Sequence, residues 1–124
     1  MYIAVLVIPV PEENMDAYRE WAEMSAGIFK KYGCLEIIDG WEDLVPHGKQ
    51  TDFHRAVAAE PGEKIVVSWQ IWPDKESFFA SEAKMHEDDA LEYSGEIPFD
   101  ASRLITGCFA SIYTMGREKE RSGN

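Results

Sequence analysis

The stretch Lys64–Trp72, KIVVSWQIW, constrains the fold of this chain more than any other. If it is extended, Ile65, Val67, Trp69 and Ile71 point to one side. Val66, Ser68, Gln70 and Trp72 point to the other. The first side is wholly apolar, and the second is apolar at its ends with two neutral polar residues between. A strand on a solvated edge carries charge on one face, and none follows Lys64 here. The pattern predicts a central strand covered on both faces.

Tyr2–Val10 has the same character. Tyr2, Ala4, Leu6 and Ile8 alternate with Ile3, Val5 and Val7, and Pro9 and Pro11 are expected to end the strand. Glu12 to Tyr32 reads as a helix. Met15, Tyr18, Trp21, Ile28, Phe29 and Tyr32 form one stripe, with Met24 or Ser25 filling the gap. Acidic residues open it, Lys30 and Lys31 close it, and Gly33 suits the position after its end. Cys34–Val45 reads as a more polar edge strand, with a bulge or bend at Gly40. After the central strand, Asp74 is placed to cap a helix from Lys75 to about Asp88. An acidic stretch, Asp88–Gly95, is expected to hold a short extra turn, and Ile97–Asp100 a loop. Leu104–Met115 reads as the last strand.

The order is strand, helix, strand, strand, helix, strand. This is the ferredoxin-like βαββαβ order, an α+β fold with a four-stranded antiparallel sheet. Residues 1–115 are expected to form the single domain and 116–124 a flexible tail. Two helices cover only one face of such a sheet, while both central strands are apolar on the other. Face-to-face pairing of two copies would bury that surface, so a homodimer is expected.

Composition narrows the partners. The 124 residues include 23 acidic and 12 basic side chains, for a formal charge of −11. Such a surface repels phosphate backbones and anionic lipid, so neither nucleic acid nor membrane is an expected partner. The apolar N-terminal run lacks a preceding basic residue and a following cleavage site, and it is too short to span a bilayer. A cytoplasmic location is expected. Cys34 and Cys108 stand far apart and are read as buried reduced thiols.

The least ordinary stretch is VPHGKQTDFHRAVAAEPGE, a loop or extended arm that holds His47 and His54. Two catalytic candidates stand out. His54 near Asp52 has the chemistry of a proton carrier, and the guanidinium of Arg103 could clamp a carboxylate or pair with Asp100. Trp69, Trp21, His47 and Arg55 are candidate ligand contacts beside them. The His47–His54 spacing matches no standard ligand motif, so no metal is assigned, and no cofactor is implied. His86 on the acidic helix end is expected to be solvated.

Several segments together resemble the YbaA-like family of unknown function: YIAVLVIPVPEENMDAYREWAE, VPHGKQTDFHRAV, VVSWQIWPDKE and IPFDASRLITGCF. The resemblance runs from Tyr2 to about Tyr113. It implies membership of the dimeric α/β-barrel superfamily of ferredoxin-like domains. Relatives in that superfamily use the space between helices and sheet for cofactor-free oxygenation, isomerisation, dehalogenation or haem breakdown. The expectation that follows is a small homodimer that binds or turns over a small organic molecule without a bound cofactor. The alternative is a non-catalytic dimer serving structure or stress tolerance.

Overall fold

A computed structural model of the chain describes residues 1–85, 87 and 97–116. Four strands, β1 (Tyr2–Pro11), β2 (Glu36–Trp41), β3 (Glu63–Trp72) and β4 (Ile105–Ala110), form one antiparallel sheet in the order β2-β3-β1-β4. The helices are α1 (Met15–Lys31), α2 (Phe53–Ala56) and α3 (Lys75–Met85). The two strands expected to be central are central. Their register runs unbroken from Tyr2 opposite Trp72 to Pro11 opposite Glu63.

Several expectations need correction. Pro9 does not end β1, since it sits fully buried in the ladder opposite Ile65. β4 pairs with β1 only as far as Val7, so the missing N–H at Pro9 leaves no β4 carbonyl unpaired. Gly40 makes no bulge, because Glu36–Trp41 pairs with β3 residue for residue. The last strand stops at Ala110 rather than Met115. Ala110 lies opposite Tyr2, where its partner strand begins, so nothing remains to pair with. The end of the second helix beyond Met85, His86, the extra turn at Asp88–Gly95 and the tail from 117 lie outside the described residues.

Helices α1 and α3 cover one face of the sheet. Tyr18, Ser25 and Ile28 are the buried positions of α1, the spacing of its apolar stripe. Asn14 precedes α1 but makes no side-chain cap; its Nδ2 donates instead to the Pro98 carbonyl at 3.0 Å, tying the 97–100 loop to the helix start. Gly33 follows α1 with a φ of +107°, a region that costs glycine little. Asp74 begins α3 by accepting from the Ser77 N–H at 2.7 Å. Beneath the helices, Trp72 is fully buried with Tyr2, Ile28 and Phe78, and the Phe78 ring meets it edge-on at 5.2 Å. Burying one such side chain contributes about 1.5–3 kcal/mol. A neighbouring cluster joins Ile8, Val10, Tyr18 and Val66 with Trp21, Trp41 and Phe99. Cys34 is buried and Cys108, on the edge strand, is exposed, so the reading of two buried thiols holds only for the first.

The opposite face is divided. At one end the 46–61 segment, expected as a loop or arm, contains the turn of helix α2 and lies against the sheet. Val57 packs there with Val7 and Ile65. At the other end the face is bare. Trp69, Ile38 and Phe109 are 41%, 50% and 56% exposed there, and Ile105, beside Val7 on the β4 edge, is 45% exposed. Trp69 is therefore a surface residue and not a core one.

Candidate functional site

On the helix-covered face, a cleft of about 290 Å³ opens between α1 and β2. Met15, Tyr18, Ala22, Ile37, Asp39 and Trp41 line it. A smaller chamber of about 70 Å³ continues inward past Ser68 and Gln70. Asp39 is opposite Ser68 in the register and accepts a hydrogen bond from its hydroxyl. Removal from water raises the Asp39 carboxyl above the ordinary range, and the Ser68 bond only partly offsets this. The phenol of Tyr18 is also pushed up, first by burial and then by the charge of Asp39. The cleft thus has largely apolar walls, with Arg19 and Glu23 on its α1 side, and on its sheet side an acid that resists ionisation with a phenol beside it. This is the usual make-up of a small-molecule site.

Asp39 and Tyr18 were not singled out in the sequence as site residues. A signal for Asp39 existed. It alternates with Ile37 and Trp41, which places a carboxylate on the inward face of β2.

The expected site residues fall elsewhere. His54 lies on α2 over the opposite face of the sheet. Its partner is Glu42 and not Asp52: Nε2 donates to the two Glu42 oxygens at 3.1 and 3.2 Å. Glu42 is held in turn by the Ile65 N–H at 2.8 Å. Asp52 caps α2, accepting from the Arg55 N–H at 2.8 Å and from the Gly48 N–H at 3.1 Å. These backbone bonds, the Arg55 one first, draw its carboxyl below the usual range. The Arg55 guanidinium donates to the carbonyls of Gly48 and Lys49 and lies 3.4 Å from Asp52. His47 is mostly exposed, 3.5 Å from Asp52, with its ring 5.3 Å from that of His54.

Arg103 forms a second polar group. It makes a two-pronged bond to Glu63 at 2.7 and 2.6 Å. It also donates to Asp100 at 2.9 Å and to the Ala58 carbonyl at 3.0 Å, with Glu60 at 3.9 Å. Each of its three nitrogens donates to a protein acceptor. Ala58 has a φ of +51°, and the Arg103 bond helps hold that left-handed turn. Trp21 belongs to the helix layer, packed edge-on against Phe99 at 5.0 Å. Trp69 is four residues along β3 from Ile65, about 13 Å at the rise of a strand, and so forms no wall beside His54. The structure therefore brings His47, His54 and Arg55 together, sets Arg103 beyond Ala58, and leaves the two tryptophans apart.

Among the described residues, no helix is long and apolar enough to cross a membrane. A family model described as "Protein of unknown function (DUF1428)" matches residues 1–101. The chain is 45% identical over 112 residues to "Uncharacterized protein YbaA" of Escherichia coli (strain K12), covering 90% of this chain and 96% of the relative. "Uncharacterized protein YbaA" of Shigella flexneri matches to the same extent. Agreement at this level over nearly the whole length is enough to place it: this chain belongs to the DUF1428 family, and is similar throughout to the YbaA proteins.

Proposed function

We propose that the chain forms a homodimeric α/β barrel from two ferredoxin-like protomers, and that each protomer takes a small organic molecule into the cleft between α1 and β2 with no cofactor held there. The antiparallel order β2-β3-β1-β4, with α1 and α3 as the crossovers, is what a split βαβ repeat produces. The bare half of the sheet, centred on Trp69 and Phe109, supports pairing of the two sheets.

The observation that carries the binding reading is Asp39. A carboxyl with its pKa raised inside an apolar cleft has a stability cost, and such groups concentrate where chemistry is done. With Tyr18 beside it, the pair is equipped to hold a carbonyl or hydroxyl and to exchange a proton with it. A screen of small carbonyl compounds, phenols and quinones by thermal shift tests this. Hits are expected whose affinity falls at least tenfold in Asp39→Asn, and which are lost when Ala22→Trp fills the cleft. If nothing binds, or if hits ignore both variants, the cleft reading fails and the non-catalytic dimer takes its place.

A further inference from the structure

We propose that the segment over the open face of the sheet holds a divalent transition-metal ion through His47, Asp52 and His54. This site lies on the opposite side of the sheet from the cleft and stands independently of it. One ligand nitrogen or oxygen from each of these residues lies within 4.8 Å of the others.

Of the three, His54 is the one whose ring is already fixed, by Glu42 at its Nε2. Glu42 can only accept, so the proton of the neutral ring sits on Nε2, and Nδ1 is left with a bare lone pair. Nδ1 is buried, and among the described residues it is the one buried side-chain nitrogen or oxygen without a hydrogen-bond partner. A buried acceptor without a donor costs free energy unless something supplies a positive partner. A carboxylate holding the far nitrogen of an imidazole is also the usual support for a metal-binding histidine, since it sets the ring's orientation and makes the free nitrogen more basic. Here that carboxylate is itself fixed by the Ile65 N–H.

The other two ligands are already placed. Ligand atoms bound at about 2.1 Å to a tetrahedral ion stand about 3.4 Å from each other. His47 Nδ1 is 3.5 Å from Asp52 Oδ2, close to that spacing and long for a hydrogen bond. Asp52 cannot swing away, because its two oxygens cap α2 and hold Gly48. His47 is 81% exposed and free to turn the remaining distance toward His54. Arg55 approaches the same carboxylate at 3.4 Å, but its terminal nitrogens are drawn off to the Gly48 and Lys49 carbonyls. Two imidazoles and a carboxylate favour ions of the zinc, nickel and iron type over calcium or magnesium, and three protein ligands leave a coordination position open. The sequence spacing hides the site because the ligands come from a turn and a short helix rather than from one regular element.

The test uses full-length protein stripped with chelator and then titrated with Zn²⁺ by calorimetry and with Co²⁺ by visible absorption. One equivalent per chain is expected, with cobalt bands of low symmetry. His47→Ala, which removes an exposed side chain, should lower the affinity about 100-fold without altering circular dichroism, and His54→Ala should abolish binding. Glu42→Gln should weaken binding about 10–100-fold. Absence of saturable binding below about 100 μM, or equal affinity in wild type, His47→Ala and His54→Ala, would overturn the proposal.

Discussion

Two carboxyl environments respond to pH in opposite directions at the level of single residues. The Arg103 fork lowers the Glu63 carboxyl, and the Ser102 hydroxyl followed by Arg103 lowers Asp100 to about 2. Groups depressed on folding contribute stability above their unfolded values, near 4, and lose it as pH falls through the folded ones. Arg103→Ala removes the shared partner and frees the Ala58 carbonyl as well. It should lower stability by about 1–3 kcal/mol at pH 7. In urea melts the gap between wild type and variant should narrow between about pH 4 and pH 2, as the acids protonate in both. A gap that stays constant across that range would show the arginine acting through packing alone. Asp39 has the reverse sign. Its carboxyl is raised, so its ionisation costs stability above the folded value and costs nothing once it is protonated. Asp39→Asn should therefore raise the melting temperature at pH 8 while it weakens the cleft ligand, the trade expected of a residue kept for function.

Among the elements, the 46–61 segment depends on one glycine. A Cβ added at Gly48 would lie 2.1 Å from the Thr51 carbonyl oxygen, an impossible approach to backbone. The close turn it permits brings Asp52 back to the Gly48 N–H and sets His47 beside that carboxylate. Gly48→Ala should cost about 1–3 kcal/mol by thermal melt, through forced opening of this turn. The central strands were legible because both faces of each are mostly apolar and neither carries a charge after Lys64, a signal that needs no knowledge of the partner. Helix α2 was not legible, since its Phe53–Ala56 span is too short to show a period, and only Asp52 as its cap gives it away. The end of β4 depends on where β1 begins, and a strand's own sequence does not record its neighbour's start. The same reason separates the site residues from their partners. His47 and His54 stand out as types, whereas Glu42 reaches His54 only once the segment has folded across the sheet.

For the whole molecule, the open face is the surface on which the proposed dimer would form. Its covered end is tied down by Glu42 on His54 and by Glu63 and Ala58 on Arg103, so the 46–61 segment is anchored over the sheet at that end. The bare end presents Trp69, Phe109 and Ile38 together, with a groove of about 420 Å³ running beside Trp69 and Ile3 toward residues 110–115. Water against so many large apolar groups is costly, at about 25 cal/mol for each Å² left uncovered. The charge of −11 opposes close approach of two copies, yet the face itself carries little of it, so repulsion acts mainly between the rims. Sedimentation at low micromolar concentration should give a two-chain mass that persists in high salt, because salt strengthens apolar burial and screens the rims. Phe109→Lys and Trp69→Glu place a charge on the exposed face without touching the buried cluster around Trp72. Each should shift the mass to one chain while leaving the circular dichroism of the sheet and helices unchanged. A wild-type monomer at these concentrations would end the dimer reading, and a dimer indifferent to both charges would move the subunit contact off this face.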